Sequence, residues 1–196
     1  MTSIIKTKKD LVFFTKEDAQ RNGCNKGLLH YWLSLFLGLE NAHAFRYLLM
    51  LRNCEYHSNN QGLIHKLLYY YYYYRMNRIG LKLSIQIPLN RCGYGLKITH
   101  LSGGGVLLNV NRVGNYCSFN SGVLIGNKDQ LDARPTIGNN VSFGPGAKAF
   151  GNISIGDNVF VAPNGVVTKD VDANTIVGGI PARHIKFKSE INNKVS

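Results

Sequence analysis

The sequence predicts a mainly β protein: a parallel β-helix of hexapeptide repeats preceded by a small α-helical region. Three observations support this class. From Val113 onwards, apolar or small residues recur every six positions, as in "VGNYCS", "IGNNVS" and "IGDNVF". Residues 1–79 instead show apolar residues at helical spacing. A charged segment, "GNKDQLDARPT", interrupts the repeat between Ile125 and Ile137 and predicts a loop that leaves the repeat.

The N-terminal region is predicted to consist of helices that organise the assembly. Thr15, with Asp18 three residues later, forms a partial capping box and predicts the start of the first helix. The apolar window 28–39 is too short to span a bilayer, so it predicts a buried helix. Two further helices are predicted over 40–57 and 62–80.

Six consecutive tyrosines, Tyr69–Tyr74, lie in the last of these helices. Six residues cover more than one and a half helical turns, so phenol rings face every side. Such a helix is expected to be enclosed by its neighbours, either the rest of the fold or a sister subunit. We therefore assign the run to packing, with a functional aromatic platform as the alternative.

Residues 80–186 are predicted to form the β-helix, followed by a C-terminal tail over 187–196. Three hexads make one triangular coil, in which the first residue of each hexad points inwards and small residues turn the corners. Stacked coils bury a continuous apolar column that no single coil could form. The predicted column is Val113, Phe119, Ile125, Ile137, Phe143, Ala149, Ile155, Val161 and Val167.

The net charge of +12 suggests an acidic partner, such as nucleic acid, an anionic membrane or a phosphorylated small molecule. Residues 1–80 carry 11 basic and 5 acidic residues, and residues 81–196 carry 12 and 6, so each part has a charge of +6. Because the charge forms no basic arm or stripe, nucleic acid is not expected as a partner.

Targeting signals and cysteine chemistry are both expected to be absent. The N-terminus, "MTSIIKTKKD", lacks the apolar segment of a signal peptide, and no integral membrane segment is expected. The cysteines are far apart and predict buried, reduced thiols in a cytoplasmic protein. No His, Cys and carboxylate cluster has metal-ligand spacing, so no metal is expected. The four cysteines are Cys24, Cys54, Cys92 and Cys117.

The segment "GLKITHLSGGGV", residues 95–106, places His100 among residues that are apolar or lack side chains. A lone histidine at such a position is more often structural than catalytic. It is also the one group in this segment that can accept a proton near neutral pH. The residue type alone leaves both interpretations open.

The last 105 or so residues resemble hexapeptide-repeat acetyltransferases. The resemblance rests on the hexads together with "GYGLKITH", "ARPTIGNNV", "GNISIGDNV" and the closing "GGIPARHI". It is strongest to the serine acetyltransferase-like branch, which includes capsule and lipopolysaccharide sugar O-acetyltransferases. The resemblance implies a left-handed β-helix, acetyl-CoA as donor substrate, and direct transfer in a cleft between the subunits of a homotrimer or a dimer of trimers.

The resemblance also implies roles for individual residues. His100 falls at the family's catalytic histidine, which takes the proton of the acceptor hydroxyl as general base. Backbone contacts to the pantetheine arm are implied at Gly144, Pro145, Ala162 and Pro163. Three cations either face the CoA phosphates or form a solvated surface: Lys169, Arg183 and Lys186. The acceptor is expected to bind at Asn109, Asp132 and Arg134.

Three departures from the serine-specific pattern bear on the acceptor. Serine-specific members carry aspartate where this chain has Ile85 and Thr99, and they carry Arg-His where it has Ala133-Arg134. We therefore expect a sugar or surface-polysaccharide precursor as the acceptor. Serine O-acetylation in cysteine biosynthesis is the first alternative and a non-catalytic β-helix scaffold the second. The group that orients His100 is left open between a backbone carbonyl and a carboxylate from the helical region.

Overall fold

The computed structural model describes residues 4–127 and 133–187 of the chain. Four helices come first, and the last of them ends where Ser84 adopts a left-handed backbone conformation with φ of 55°. The helical part therefore extends beyond residue 79, where the sequence predicted its boundary. The helices are α1 (Lys8–Arg21), α2 (Leu28–Phe36), α3 (Glu40–Ser58) and α4 (Leu63–Leu83).

Helix α1 begins earlier than predicted. The Thr7 hydroxyl accepts the Asp10 backbone N–H at 3.1 Å, and the Asp10 carboxylate accepts the Thr7 backbone N–H at 2.8 Å. This reciprocal capping box makes Thr7 the N-cap, and the helix begins at the next residue, Lys8. The predicted cap at Thr15 was wrong, because its hydroxyl lies inside the helix and donates to the carbonyl of Leu11 at 2.7 Å.

Helix α2 is not the buried helix that the sequence predicted. Its contact with α3 includes an edge-to-face ring pair, Tyr31 on Phe45, with centroids 5.6 Å apart. The opposite side of α2 faces outwards, because this short helix lies at the surface of the helical part. Five large apolar residues of α2 are between 53% and 86% exposed: Leu28, Leu29, Trp32, Leu33 and Phe36.

Short strands follow the helices, with a 3-10 turn at Leu101–Gly103. Each strand is two to six residues long, as expected for the sides of a triangular coil. The strands are β1 (Ile85–Gln86), β2 (Lys97–Ile98), β3 (Val106–Leu108), β4 (Arg112–Val113), β5 (Ser118–Phe119), β6 (Val123–Gly126), β7 (Thr136–Ile137), β8 (Ser142–Phe143), β9 (Lys148–Phe150), β10 (Ser154–Ile155), β11 (Phe160–Val161), β12 (Val166–Val167), β13 (Thr175–Gly179) and β14 (Ala182–Phe187).

These strands form the three faces of a prism. Face 1 contains β1, β3, β6, β9 and β12, face 2 contains β4, β7 and β10, and face 3 contains β2, β5, β8, β11 and β13. Neighbouring strands within each face run parallel. Strand β14 closes the prism by pairing antiparallel with β13. The chain passes from face 1 to face 2 to face 3 in each coil, as in a parallel β-helix.

The predicted hexad column is confirmed. All nine of its residues, from Val113 to Val167, are at most 2% exposed and belong to one continuous core. Phe119 and Phe143 stack within it, with ring centroids 5.5 Å apart. The residues that recur every six positions are therefore the ones whose side chains point into the prism.

The helical part covers the open edge of the first coil. An exposed strand edge offers unpaired backbone groups, which must be satisfied elsewhere. On face 1, the Ile87 N–H donates to the Tyr47 hydroxyl at 3.0 Å. On face 3, the Leu96 N–H donates to the Asp18 carboxylate at 2.9 Å, and the Ile98 N–H donates to the Asn22 side-chain carbonyl at 3.3 Å. Side chains of α1 and α3 thus replace a missing neighbouring coil.

The cysteines are free thiols. Cys54, Cys92 and Cys117 are buried as predicted, whereas Cys24 is only half-buried. Burial raises the pKa of the Cys54 and Cys117 thiols to about 12, which keeps both groups protonated and unreactive near neutral pH.

Candidate active site

His100 lies on the exposed first-coil turn at one corner of the prism. The register of face 3 aligns four core residues one above another: Ile98, Phe119, Phe143 and Val161. Two positions after these residues, at the corner between faces 3 and 1, lie His100, Ser121, Pro145 and Pro163. We call this edge of the prism the His100 corner.

The His100 side chain is exposed, while the backbone around it is fixed. His100 has a left-handed conformation with φ of 59°, which histidine adopts more readily than most residues. On one side, Thr99 donates its N–H to the Phe119 carbonyl at 3.1 Å and its hydroxyl to Asn120 at 2.8 Å. Within residues 4–127 and 133–187, no hydrogen bond holds the imidazole. It can therefore meet an incoming molecule.

The His100 corner is longer in the first coil than in the second. Ile98 pairs with Phe119 and Val106 pairs with Val123, so the first coil spends four more residues on this turn. This longer turn contains the 3-10 turn and three successive glycines, Gly103 to Gly105. A Cβ on Gly105 would lie 1.8 Å from the Ser84 carbonyl oxygen, so this position cannot carry a side chain.

A carboxylate from the helical part reaches the His100 corner. Glu40, in the first turn of α3, accepts the backbone N–H of Leu101, the residue after His100. The sequence left such a carboxylate as one of two options but did not identify Glu40. It lies 61 positions before Leu101, and no local pattern connects the two.

The residues predicted to contact the pantetheine arm differ in accessibility. Pro145, Ala162 and Pro163 lie at the His100 corner and are accessible. Gly144 lies there too, but it is buried: a Cβ on it would come 2.8 Å from the backbone nitrogen of Pro163. Its lack of a side chain is thus required for stacking the next coil.

The candidate cations lie in two places. Arg183 and Lys186 are exposed on β14, where they pair with Gly178 and Ile176 of face 3. Gly178 follows Val177, which pairs with Val161 of β11, so it lies next to Ala162 on the side of face 3 that borders the His100 corner. Lys169 is exposed after β12, on the way from face 1 to face 2, and so lies on another edge of the prism.

The candidate acceptor residues lie at the corner between faces 1 and 2, here called the Arg134 corner. The Asn109 amide donates to Asn127 at 3.2 Å, and the Asn111 amide donates to the Arg134 carbonyl at 2.9 Å. Asp132 lies outside the described residues. Face 1 separates Asn109 and Arg134 from His100, whereas Lys169, also on the way from face 1 to face 2, lies on the same edge of the prism as they do.

The departures from the serine-specific pattern are structural. Ile85 is 4% exposed and packs in the core. The Thr99 hydroxyl is engaged with Asn120. Neither position therefore supplies a polar group to the His100 imidazole.

A groove of about 810 Å³ runs between α4 and face 1 and reaches Asn109. Tyr69 and Tyr73 line its helical side. Four of the six consecutive tyrosines are between 42% and 60% exposed in the single chain, so the rest of this chain does not enclose the run, and packing against a sister subunit stays a prediction. They are Tyr70, Tyr71, Tyr73 and Tyr74.

Two further features concern metals and membranes. Among residues 4–127 and 133–187, no three His, Cys, Asp or Glu side chains are grouped in a way that could hold a metal ion. In the same part of the chain, no helix is both long and apolar enough to cross a membrane.

Comparison with known proteins identifies the fold. No protein-family model matches the chain. A solved serine acetyltransferase in complex with CoA superimposes with a TM-score of 0.66 at 22% identity, covering 91% of this chain and 71% of that one. The Neisseria gonorrhoeae serine acetyltransferase in complex with serine gives a TM-score of 0.61 at 25% identity, covering 91% and 70%. The architecture is therefore the left-handed β-helix with an N-terminal helical region, as predicted.

Sequence similarity is confined to half of the chain. The serine acetyltransferase of Synechococcus elongatus is 42% identical over 101 residues, which is 50% of this chain and 41% of that protein. The match thus spans less than half of the relative's length. The chain shares the serine acetyltransferase fold, and its activity is considered below.

Proposed function

We propose that this chain is an acetyl-CoA-dependent O-acetyltransferase with His100 as its general base. The observation that carries the proposal is the His100 corner, where the exposed His100 imidazole and the exposed Pro145 and Pro163 lie on the same edge of the prism. The likeness to serine acetyltransferases, including one solved with CoA, supports the same activity.

The chemistry requires one proton acceptor close to the acceptor hydroxyl. The donor supplies an acetyl thioester. The neutral His100 imidazole takes the hydroxyl proton as the acceptor oxygen bonds to the acetyl carbonyl carbon. It then returns the proton to the departing sulfur as the carbon–sulfur bond breaks. The products are an acetyl ester and CoA, and His100 ends in its original neutral form.

The His100 corner suits the pantetheine arm of the donor. Pro145, Ala162 and Pro163 offer accessible backbone and small side chains on the same edge of the prism as His100. Arg183, on β14, extends the same side of the prism with a positive charge that suits CoA phosphates. Lys169 lies on another edge, so we do not include it in this arm of the site.

Serine is the acceptor that the named relatives support, rather than the sugar that the motif departures predicted. In this proposal, the serine hydroxyl meets His100 while Arg134 pairs with the serine carboxylate across the interface between subunits. A sugar hydroxyl is the second candidate. The observation in its favour is that Ile85 and Thr99 provide no carboxylate for an amino group.

Release of CoA thiol from acetyl-CoA tests the proposal directly. The purified full chain is incubated with acetyl-CoA alone, with L-serine, and with a panel of free and nucleotide-linked sugars. Release that depends on serine supports the first acceptor, and release that depends on one sugar supports the second. If the chain neither binds CoA in calorimetry nor releases thiol with any acceptor, the non-catalytic scaffold is the better interpretation.

A further inference from the structure

We propose that Glu40 is a positioning residue for His100, holding the long first-coil turn of the His100 corner from the helical part of the protein. The proposal rests on the proposed function, since it assigns Glu40 a role in the placement of the general base. It also makes a structural claim that can be measured without any turnover.

The need for an external anchor follows from the length of the turn. In the second coil, the chain passes from Phe119 to Val123 directly, and the strand ladders fix that short turn. The first-coil turn is four residues longer, and three of its residues, 103–105, are glycines with no side chains to pack. Among the described residues, the hydrogen bonds to the second coil lie at the two ends of this turn: Thr99 donates to Phe119, and the Gly105 carbonyl accepts the Gly122 N–H at 2.8 Å.

Glu40 supplies that anchor next to the imidazole. Thr99 is bound to the coil below through its N–H and hydroxyl. Leu101 is held on the other side by Glu40, and its side chain packs against the core. His100 is thus clamped between two fixed residues, one held by the prism and one by α3, which sets the direction of its exposed side chain.

A purely helical role for Glu40 makes a different prediction. An acidic residue in the first turn of a helix also interacts favourably with the helix dipole. That interaction needs the negative charge, whereas the Leu101 N–H needs only an acceptor oxygen. Glu40→Gln keeps an acceptor oxygen and loses the charge, while Glu40→Ala loses both.

The chain offers a matched control at another corner. Glu17, in α1, accepts the Tyr116 hydroxyl at 2.8 Å. Tyr116 also has a left-handed backbone, with φ of 57°, but it lies at the corner between faces 2 and 3. Glu17→Ala therefore removes a comparable contact between helix and prism away from His100.

The experiment compares wild type, Glu40→Ala, Glu40→Gln and Glu17→Ala by hydrogen exchange over residues 99–106 and by steady-state kinetics. We expect Glu40→Ala to speed exchange in this segment and to lower kcat by about tenfold or more, with the acetyl-CoA KM within about twofold. Glu40→Gln should stay close to wild type in both measurements, and Glu17→Ala should leave both unchanged.

Several outcomes would overturn the proposal. Unchanged exchange in Glu40→Ala would show that Glu40 does not hold the turn. Equal kcat losses in Glu40→Ala and Glu40→Gln, or in Glu40→Ala and Glu17→Ala, would assign Glu40 to general stability. If wild type shows no acetyl transfer while Glu40→Ala still speeds exchange, the anchor stands and the proposed function fails.

Discussion

The Arg52 guanidinium donates to the Asp18 carboxylate at 2.8 Å, and both side chains are fully buried. The same guanidinium donates to Glu55 at 3.0 Å and to the carbonyls of Cys92 and Gly93 in the first coil. Burial opposes the charge of Arg52, but Asp18 and Glu55 outweigh it and raise the pKa of the guanidinium above its usual value. One cation thereby joins α1, α3 and the prism.

Breaking this network should cost more than any surface change. Arg52→Met leaves two buried carboxylates without their partner, so we expect a loss of about 3–5 kcal/mol in the free energy of unfolding. Denaturant unfolding at fixed protein concentration measures it. Arg78→Met, which removes an exposed arginine from α4, is the control and should change stability by less than about 0.5 kcal/mol. A loss below about 1 kcal/mol for Arg52→Met would contradict the prediction.

The Tyr47 hydroxyl should also contribute measurably, because it accepts the N–H of Ile87 at the edge of face 1. Tyr47→Phe leaves that buried N–H unpaired, which we expect to cost about 1–3 kcal/mol. Tyr70→Phe, on the exposed side of α4, serves as the matched control. Equal unfolding free energies for the two variants would show that the edge bond is unimportant.

The repeat could be predicted from the sequence because it is local and periodic. Each inward residue from Val113 to Val167 faces the same environment, so the same residue type recurs every six positions. The burial of the helices was harder to predict, since the residues that cover a helix are distant in the sequence. The window 28–39 is apolar enough for a core helix, but only its Tyr31 side meets α3, and that contact leaves no trace in local composition.

The candidate site likewise contains residues that the sequence identifies and residues that only the fold reveals. His100 could be found because it stands in a recognisable segment, whereas Glu40 is an ordinary acidic residue at the start of a helix. Its relation to Leu101 arises only when α3 folds over the first coil. The same holds for Gly144, where the motif predicted a donor contact and the stacked coils reveal a packing requirement against Pro163.

The hairpin of α3 and α4 should lose stability on acidification. His57 is largely buried, with its Nδ1 2.9 Å from the Nδ1 of His65 and its ring stacked on Tyr72. Burial, and then His65, lower the pKa of His57 below its ordinary value of about 6.5. The unfolded chain therefore takes up a proton before the folded chain does, so the stability is complete above about pH 6.5 and falls below it.

Thermal unfolding between pH 8 and pH 5 checks this prediction. His57→Gln removes the titrating group, so its Tm should fall less with pH than that of wild type. His30→Gln, on the exposed face of α2, should follow the wild-type slope. Parallel pH profiles for His57→Gln and wild type would show that His57 does not contribute to the acid sensitivity.

His100→Ala should separate binding from catalysis. Removing a general base is expected to lower kcat by about 10²–10⁴-fold, or about 3–5 kcal/mol in the barrier, while CoA affinity by calorimetry stays unchanged. His65→Ala, at the start of α4, is the control and should keep wild-type kcat. If His100→Ala keeps its fold and more than about a tenth of the wild-type kcat, His100 is not the general base.

The separation of His100 from Arg134 by face 1 predicts that a complete site forms between subunits of a closed homotrimer. A His100→Ala subunit still offers an intact Arg134 corner, and an Arg134→Ala subunit still offers an intact His100 corner. Mixed assemblies should therefore regain activity that neither variant has alone. With equal amounts and random assortment, about a quarter of the sites would combine the two intact halves.

The test is to refold the two variants together, with each refolded separately as control. Thiol release measures the regained activity, and light scattering measures the mass of the assembly. A monomeric wild type, or mixtures no more active than their components, would show that the site does not span two subunits.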